Sequence, residues 1–344
     1  MIKSPLPSVS GLPEAAQAAQ AAPDREGGSA ASLVSSRRQL QASGAARALD
    51  LLGDAWILRL LRSLFRGQRR FSGFIEETGI SRAVLANRLE RLCAAGLLRR
   101  DESPGRHAFY LLTDCGLDFW SVLLAMWQWE SRWGTGLVKP PMPHDRPRGE
   151  PMHTTCGHAA DPRPVCACCG ELVTAFDTRG EIDAAGAHAS ACLVAEAGAD
   201  PERRFRQSHS TCRDDLPTLM RVYGDRWNSS VMAAALQGAR TFTDFSEATG
   251  IGAGPLTRRL QELQALGLLR PRAYAGSRSE YRLTRSAVAT FPITLEMIRW
   301  GDRWLWNGQS PMTIRHLRCG QPLRLRWQCA HCQRGLERQT LRFD

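Results

Sequence analysis

The 344-residue chain is almost free of lysine: only Lys3 and Lys139 occur, so arginine supplies nearly all of its positive charge. It has no apolar run long enough to span a membrane, and no hydrophobic signal core at its N-terminus. It also lacks a Gly-rich phosphate loop, a nucleophile elbow and a repeated acid–base constellation. The sequence therefore lacks the common signatures of membrane proteins and of enzymes. They predict a soluble, cytoplasmic, non-enzymatic chain.

The positive charge that is present is unevenly placed. The net charge is +11, and it accompanies two repeated segments and the C-terminal tail, whereas residues 134–223 are slightly negative. Because arginine binds phosphate and guanine bidentately, this distribution fits a nucleic-acid surface. A GC-rich genome would also favour arginine codons, and composition does not separate the two explanations.

An internal repeat is the most informative feature of the chain. Residues 53–133 and 224–304 match at a constant offset of 171 without a gap, as in the pair Trp56 and Trp227. Each copy is followed by the pattern His-x2-Cys-Gly-x8-Cys-x2-Cys, at an offset of 163. Such a period is too long for a solenoid. The repeat therefore indicates duplication of a whole domain together with a Cys/His appendage.

Each copy is expected to contain three helices, a β-hairpin and one long final helix. A leucine stripe at helical spacing marks the third helix, and the period changes to that of strands after it. The expected caps and breaks in the first copy are Asp54, Gly67, Ser81, Gly96 and Thr113. Two short helices joined by a tight turn and followed by a hairpin predict a winged helix-turn-helix.

The residues that mark these elements resemble a known family. The run 47–56, the turn 79–81 and the motif Tyr-x-Leu-Thr at 110–113 are similar to the HxlR-type winged-helix transcriptional regulators of bacteria, and the second copy keeps this frame. The resemblance implies a mainly α fold with small β wings. It also implies double-stranded DNA as a partner, dimerisation through the terminal helices, and action as a repressor or activator.

The chain is expected to divide into two winged helix-turn-helix domains, each followed by a small zinc-ribbon-like appendage. The expected segments are a disordered N-terminus at 1–40, the first domain at 43–135, the first appendage at 150–178, a linker at 179–211, the second domain at 214–306, and the second appendage with a basic tail at 313–344.

The outward face of the second motif helix is expected to contact DNA, because this helix enters the major groove in such folds. The alternative is that these are ordinary solvated residues. In the first copy the face and its wing offer Arg82, Ala83, Ala86, Asn87, Arg91, Arg99, Arg100, Arg106 and His107. In the second copy they offer Thr257, Arg258, Gln261 and Arg278. Arg88 and Arg259 lie on the flank, where an internal salt bridge is favoured over phosphate contact.

The two copies differ at this helix, since the second begins with Gly-Ala-Gly-Pro at 252–255. Two glycines and a proline weaken a first turn unless Pro255 takes the first helical position. We therefore expect an asymmetric operator, or a second copy that has lost base reading. The tryptophans of the last helices (Trp120, Trp127, Trp129, Trp300 and Trp304) are expected at a seam between copies, within one chain or in a homodimer. The alternative is that they fill each domain's own core.

Each appendage supplies one histidine and three cysteines, which suit a closed tetrahedral zinc site. The expected ligands of two structural zinc ions are His153, Cys156, Cys166 and Cys169 in the first, and His316, Cys319, Cys329 and Cys332 in the second. The alternative is reduced thiols in a small hairpin. With its eleven cysteines, a cytoplasmic chain is expected to carry thiols or metal ligands and not disulfides.

The sequence as a whole predicts a DNA-binding transcriptional regulator, with repression favoured. The alternatives are a scaffold with degenerate winged helices, or a thiol- or zinc-responsive sensor. Family members that sense oxidants use a cysteine before the first helix, but the corresponding positions here are Ser43 and Asp214. This departure argues against a thiol switch of that kind.

Overall fold

A computed structural model describes residues 43–101, 108–134, 151–182, 217–273, 279–308 and 310–342. Within these ranges the protein is mainly helical, with small antiparallel sheets. No helix in the described ranges is both long enough and apolar enough to cross a membrane. The wing tips at 102–107 and 274–278 lie outside the described residues.

The first copy has the expected winged-helix order. Its elements are α1 (Gly44–Leu52), α2 (Ala55–Phe65), α3 (Phe71–Thr78), α4 (Arg82–Ala94), β1 (Leu98–Asp101), β2 (Phe109–Leu112), α5 (Asp114–Leu117) and α6 (Trp120–Trp133). The first appendage follows with β3 (Met152–His153), β4 (His158–Ala159), β5 (Pro162–Cys166) and β6 (Thr178–Ile182).

The second copy repeats this order. Its elements are α7 (Thr218–Tyr223), α8 (Arg226–Leu236), α9 (Phe242–Thr249), α10 (Ala253–Ala265), β7 (Leu269–Ala273), β8 (Ser279–Leu283), α11 (Arg285–Val288) and α12 (Phe291–Trp304). The second appendage contains β9 (Met312–His316), β10 (Leu325–Cys329), a 3-10 turn at Arg338–Thr340 and β11 (Leu341–Arg342).

Local caps define the helix-turn-helix as the sequence predicted. The Asp54 carboxylate accepts the Trp56 amide at 2.9 Å and opens α2, while the Ser81 hydroxyl accepts from Val84 and opens α4. Gly79 ends α3 with φ +70° and Gly250 ends α9 with φ +71°, a conformation that glycine adopts without steric cost. The motif helices α3 and α4 are thus placed by signals within a few residues of each boundary.

The long helix expected after Thr113 is wrong, because the structure has two helices there. Thr113 caps only the short α5, and α6 begins at Trp120. Phe119 lies between them, fully buried, with its ring edge-on to Trp300 of the second copy at 5.7 Å. In the second copy the same break precedes α12, which has Pro292 in its first turn. The break directs an aromatic side chain into the contact between copies.

Helix α1 is not among the three helices, hairpin and final helix expected in each copy, although the family resemblance implies a first helix after Ser43. Ser43 caps it, and it packs along α12 of the second copy. The two backbones nearly touch, since a Cβ placed on Gly301 would lie 2.0 Å from the Gly44 carbonyl oxygen. Helix α7 of the second copy packs in turn against α2 and α6 of the first. The copies therefore exchange their N-terminal helices.

Reciprocal hydrogen bonds connect the two copies. The Trp129 indole donates to the Ser286 carbonyl at 2.7 Å, and the Trp300 indole donates to the Cys115 carbonyl at 3.0 Å. The two bonds are equivalent, because the repeat offset of 171 relates Trp129 to Trp300 and Cys115 to Ser286. Such mutual contacts are the mark of an isologous, two-fold arrangement. Trp304 also bonds across, to Asp118, whereas Trp120 and Trp127 are partly buried against the common core.

A buried carboxylate breaks this pseudo-symmetry. Glu296 of α12 is 1% exposed and accepts from Ser121 of the first copy at 2.6 Å, from Arg299 at 2.7 Å, and from Trp327 of the second appendage at 2.8 Å. Arg299 continues to Asp118 of the first copy at 3.1 Å. This network ties both copies and an appendage together.

The two appendages are not separate modules, in contrast to the expectation of one independent zinc-ribbon-like unit after each copy. Strand β5 of the first pairs with β10 of the second, β6 pairs with β9, and β3 pairs with β11. Strand β6 also extends to Ile182, beyond the expected boundary at residue 178. Because edge strands bury their backbone groups on the other appendage, each half completes the other.

Candidate functional site

The outer face of α4 is open to solvent and braced from behind. Leu85, Leu89 and Leu92 are buried in the core, while Arg82, Ala83, Ala86 and Asn87 are exposed on the opposite side. This is the division that the leucine stripe predicted. The helix therefore presents one arginine, one amide and a short apolar surface to a partner.

An internal ion pair holds α4 against α2. The Arg88 guanidinium lies 2.8 Å from the Asp54 carboxylate, and its side chain is only 12% exposed. In the second copy Arg259 makes the same contact with Asp225 at 3.0 Å. The expected internal salt bridges are thus present in both copies. Since Asp54 also caps α2 and Asp225 caps α8, each ion pair connects the second helix of the motif to the helix that precedes the motif.

Arg91 occupies a different place from the one expected. Its guanidinium is 3.7 Å from the Asp54 carboxylate and 3.4 Å from the Asp50 carbonyl, so it turns back onto the protein. Helical angle alone predicts that Arg91 lies on the outward face. A long side chain at the edge of the face reaches the acidic cap instead.

Helix α10 presents a different surface. Thr257, Arg258 and Gln261 are exposed as expected, and Arg258 stands where Asn87 stands in the first copy. Pro255 is the third residue of the helix and not the first. Its missing N–H removes no hydrogen bond there, because the first amides of a helix have no intrahelical partner. Gly252 provides no side-chain cap, unlike Ser81.

The wings add cations beside both helices. Arg99 and Arg100 are exposed on β1, whereas the expected Arg106, His107 and Arg278 lie outside the described residues. Arg270 and Arg272, which were not among the predicted DNA-contacting residues, are exposed on β7. The repeat offset would have identified Arg270, because it corresponds to Arg99.

All eight expected metal ligands are brought together, but in pairs that cross between the appendages. Cluster I contains His153, Cys156, Cys329 and Cys332, and cluster II contains Cys166, Cys169, His316 and Cys319. Within each cluster the ligand atoms lie within 4.8 Å of one another. The expected grouping of four ligands within one appendage is wrong. The crossed strand pairs bring the His-x2-Cys half of one appendage to the Cys-x2-Cys half of the other.

The cysteines of the winged domains are poor candidates for a redox switch. Burial raises the pKa of Cys115 to about 12, and burial also raises the pKa of Cys93. Because the thiolate is the reactive form, both thiols are held in their unreactive state at neutral pH. Ser43 serves as the cap of α1.

Comparison with known proteins agrees with this architecture. The model of the HxlR-like helix-turn-helix family matches residues 51–136 and 222–309. The HTH-type transcriptional regulators Rv3095 of Mycobacterium tuberculosis and Mb3122 of Mycobacterium bovis, both uncharacterised, are 38% identical over 141 residues. Those residues make up 39% of this chain and 82% of each relative.

A solved structure is also similar to part of the chain. The crystal structure of PA1607, described as a candidate transcription factor, is 29% identical with a TM-score of 0.34, and the match covers 40% of this chain and 92% of that one. The match to each curated relative spans less than half of this chain, whereas the family model matches twice. The chain belongs to the HxlR-like helix-turn-helix family and carries the family's domain in duplicate.

Proposed function

We propose that the protein is a DNA-binding transcriptional regulator whose two winged helix-turn-helix copies act as a built-in pair on duplex promoter DNA. The observation that carries this proposal is the exposed outer face of α4, with Arg82 and Asn87 held outward by a buried leucine stripe and the Arg88–Asp54 pair. The net charge of +11 and the exposed wing arginines favour a polyanionic partner.

The linked arrangement supports binding as one unit. The reciprocal tryptophan bonds and the exchanged helices α1 and α7 join the copies within one chain. A partner on the same chain is present at high effective concentration, so pairing does not depend on protein concentration. We therefore propose an intrachain pair in place of the homodimer that single-copy relatives would need.

Unequal reading by the two copies follows from their side chains. Asn87 can bond adenine bidentately, whereas Arg258 at the matched position favours guanine or phosphate. We propose an operator made of two different half-sites. Arg91 is not proposed as a base-reading residue, because it is turned toward Asp54 and the Asp50 carbonyl.

The test is fluorescence anisotropy with the full chain and duplexes from the region upstream of its own gene. Affinity is expected to fall steeply with salt, with log K decreasing by about 0.9 per log unit of salt for each phosphate contact. Asn87→Ala is expected to weaken specific binding by about tenfold, since a bidentate base contact discriminates by ~1–3 kcal/mol. Binding to random duplex should not change.

Arg99→Ala is the matched comparison on the wing. It should weaken specific and random duplexes alike and reduce the salt slope by about 1, because a phosphate contact carries no sequence information. Arg258→Ala reports on the second copy: a specific loss at one half-site shows that α10 reads bases. Affinity that did not respond to salt would contradict DNA binding and favour the scaffold alternative.

We further propose repression as the outcome of binding, because a preformed pair can occupy a promoter without first assembling. A promoter–reporter fusion is expected to rise when the gene is deleted and to fall again on complementation with the wild-type chain. The Asn87→Ala chain should restore repression only partly. Reporter activity that fell on deletion would assign activation instead.

A further inference from the structure

The two Cys/His clusters have the atomic spacing of tetrahedral metal sites. In cluster I the His153 Nδ1 atom lies 3.4 Å from the sulfurs of both Cys156 and Cys332. In cluster II the sulfurs of Cys166 and Cys319 are 3.9 Å apart. With Zn–S near 2.3 Å and Zn–N near 2.0 Å, the edges of such a tetrahedron measure about 3.5–3.8 Å. A disulfide would need about 2.05 Å.

Backbone turns present these ligands in a matched way. The Gly157 amide donates to the His153 carbonyl, and the Gly320 amide donates to the His316 carbonyl, both at 2.8 Å. Both glycines have φ +69°. Gly170 and Gln333 close the Cys-x2-Cys turns similarly, with amide bonds of 2.8 and 2.9 Å. Four such turns point eight ligand atoms into two small volumes.

The histidines give a second, independent reason to infer a metal. His153 and His316 are fully buried, and in each the Nδ1 atom faces the thiols. Burying an imidazole among thiols is unfavourable unless it gains a strong interaction. A metal bound at Nδ1 supplies that interaction and requires deprotonated thiols, so binding releases protons.

We propose that each cluster binds one zinc ion, and that each ion takes two ligands from the first appendage and two from the second. The donor set, one nitrogen and three sulfurs in a closed tetrahedron, is that of structural zinc. Neither appendage can complete a site by itself. The metals therefore act as two cross-links between the halves of the chain, joining residues as far apart as His153 and Cys332.

These cross-links are connected to the helices of the pair. Trp327, two residues before Cys329, donates to Glu296 of α12, and Arg132 of α6 pairs with Asp161 beside β5. Leu295 of α12 packs against Cys166 and Val173. Zinc thus stabilises the relative placement of α6 and α12, and through them the copies that carry α4 and α10. This consequence rests on the proposed function, whereas the metal sites themselves do not.

Two double variants of the full chain distinguish crossed from separate sites. Cys156→Ser/Cys332→Ser removes two ligands of cluster I and leaves cluster II complete. Cys156→Ser/Cys169→Ser removes one ligand from each cluster. Zinc content is measured by native mass spectrometry, and affinity is measured by competition with a colorimetric chelator. Exposed Cys168, which lies outside both four-ligand clusters, gives the control Cys168→Ser.

The wild type and Cys168→Ser are expected to hold one zinc in each of the two clusters. The first variant should keep one zinc at wild-type affinity, and the second should keep none at that affinity. Ligand sets confined to each appendage would give the opposite pattern and overturn the crossed assignment. A wild-type chain without tightly bound zinc would overturn the sites altogether.

The same question can be answered with the wild-type chain, so the result does not depend on whether a variant folds. After exchange with 113Cd, each metal resonance is coupled to the Hβ protons of the cysteines that bind it. One resonance should couple to Cys156, Cys329 and Cys332, and the other to Cys166, Cys169 and Cys319. Coupling of Cys156 and Cys166 to a common resonance would contradict the proposal. None of these outcomes depends on DNA, so a failure here is distinct from a failure of the proposed function.

Discussion

Replacing Gly301 with alanine tests whether α1 and α12 approach as closely as the structure shows. The added Cβ would lie 2.0 Å from the Gly44 carbonyl oxygen and 2.9 Å from the Gly44 Cα. Real Cβ contacts of that length do not occur, and the obstacle is backbone, which cannot rotate away. The helices would have to separate by more than 1 Å, so overpacking should cost about 3 kcal/mol, the upper part of its usual range.

The matched control is Gly254→Ala in α10, a helical glycine with open space around its Cβ position. That change should stabilise the chain by about 0.5–1 kcal/mol through helix propensity. Urea unfolding followed by circular dichroism measures both changes in stability, and Gly301→Ala should lower the thermal midpoint by ~4–6 °C in a chain of this size. A Gly301→Ala chain as stable as the wild type would refute the close crossing of the two helices and the exchange of α1.

The remaining predictions concern buried acids in the contact between copies. Burial raises the pKa of Asp302 to about 6. Its folded pKa exceeds the unfolded one near 4, so stability falls as pH rises from 4 to 6. Asp302→Asn should abolish this pH dependence of the unfolding free energy, measured by urea titration. At neutral pH it should raise the unfolding free energy by about 1–2 kcal/mol, a value reduced for the partial solvent exposure of the carboxyl. An unchanged pH profile would contradict this prediction. Glu296→Gln leaves Arg299 with one carboxylate partner in place of two and should cost about 2–3 kcal/mol of unfolding free energy. Trp327→Phe, which removes one hydrogen bond to Glu296, should cost ~1 kcal/mol of unfolding free energy. Equal losses in Glu296→Gln and Trp327→Phe would show that the Glu296–Arg299 ion pair contributes little.

Sequence reasoning performed well where the signals are local. The caps at Asp54 and Ser81, the left-handed Gly79 and the buried leucine stripe each depend on residues within one or two helical turns. An internal salt bridge of Arg88 was predicted from its place on the flank of α4, but its partner Asp54 is shown only by the structure. These features placed the exposed face of α4 correctly.

Features that depend on residues far apart in the sequence were not predicted. Arg91 lies on the outward side by helical angle, yet its length lets it reach Asp54. The buried residues of α1 (Ala45, Ala48, Leu49 and Leu52) follow helical spacing, but that spacing does not show that α12 of the other copy covers them. The break at Phe119 likewise follows from its contact with Trp300. Contacts between residues so far apart leave no trace in local spacing.

The sequence by itself determined the duplicated domain, its winged-helix order and the eight candidate Cys/His ligands, because a repeat and a Cys/His spacing are properties of the linear chain. Only the tertiary structure decided how the two halves combine. Since both appendages carry the same spacing, a set of four ligands within one appendage and a set crossed between two have identical sequence signatures. The antiparallel pairing of β5 with β10 and β6 with β9 selects the crossed set, because it brings each His-x2-Cys turn to the opposite Cys-x2-Cys turn.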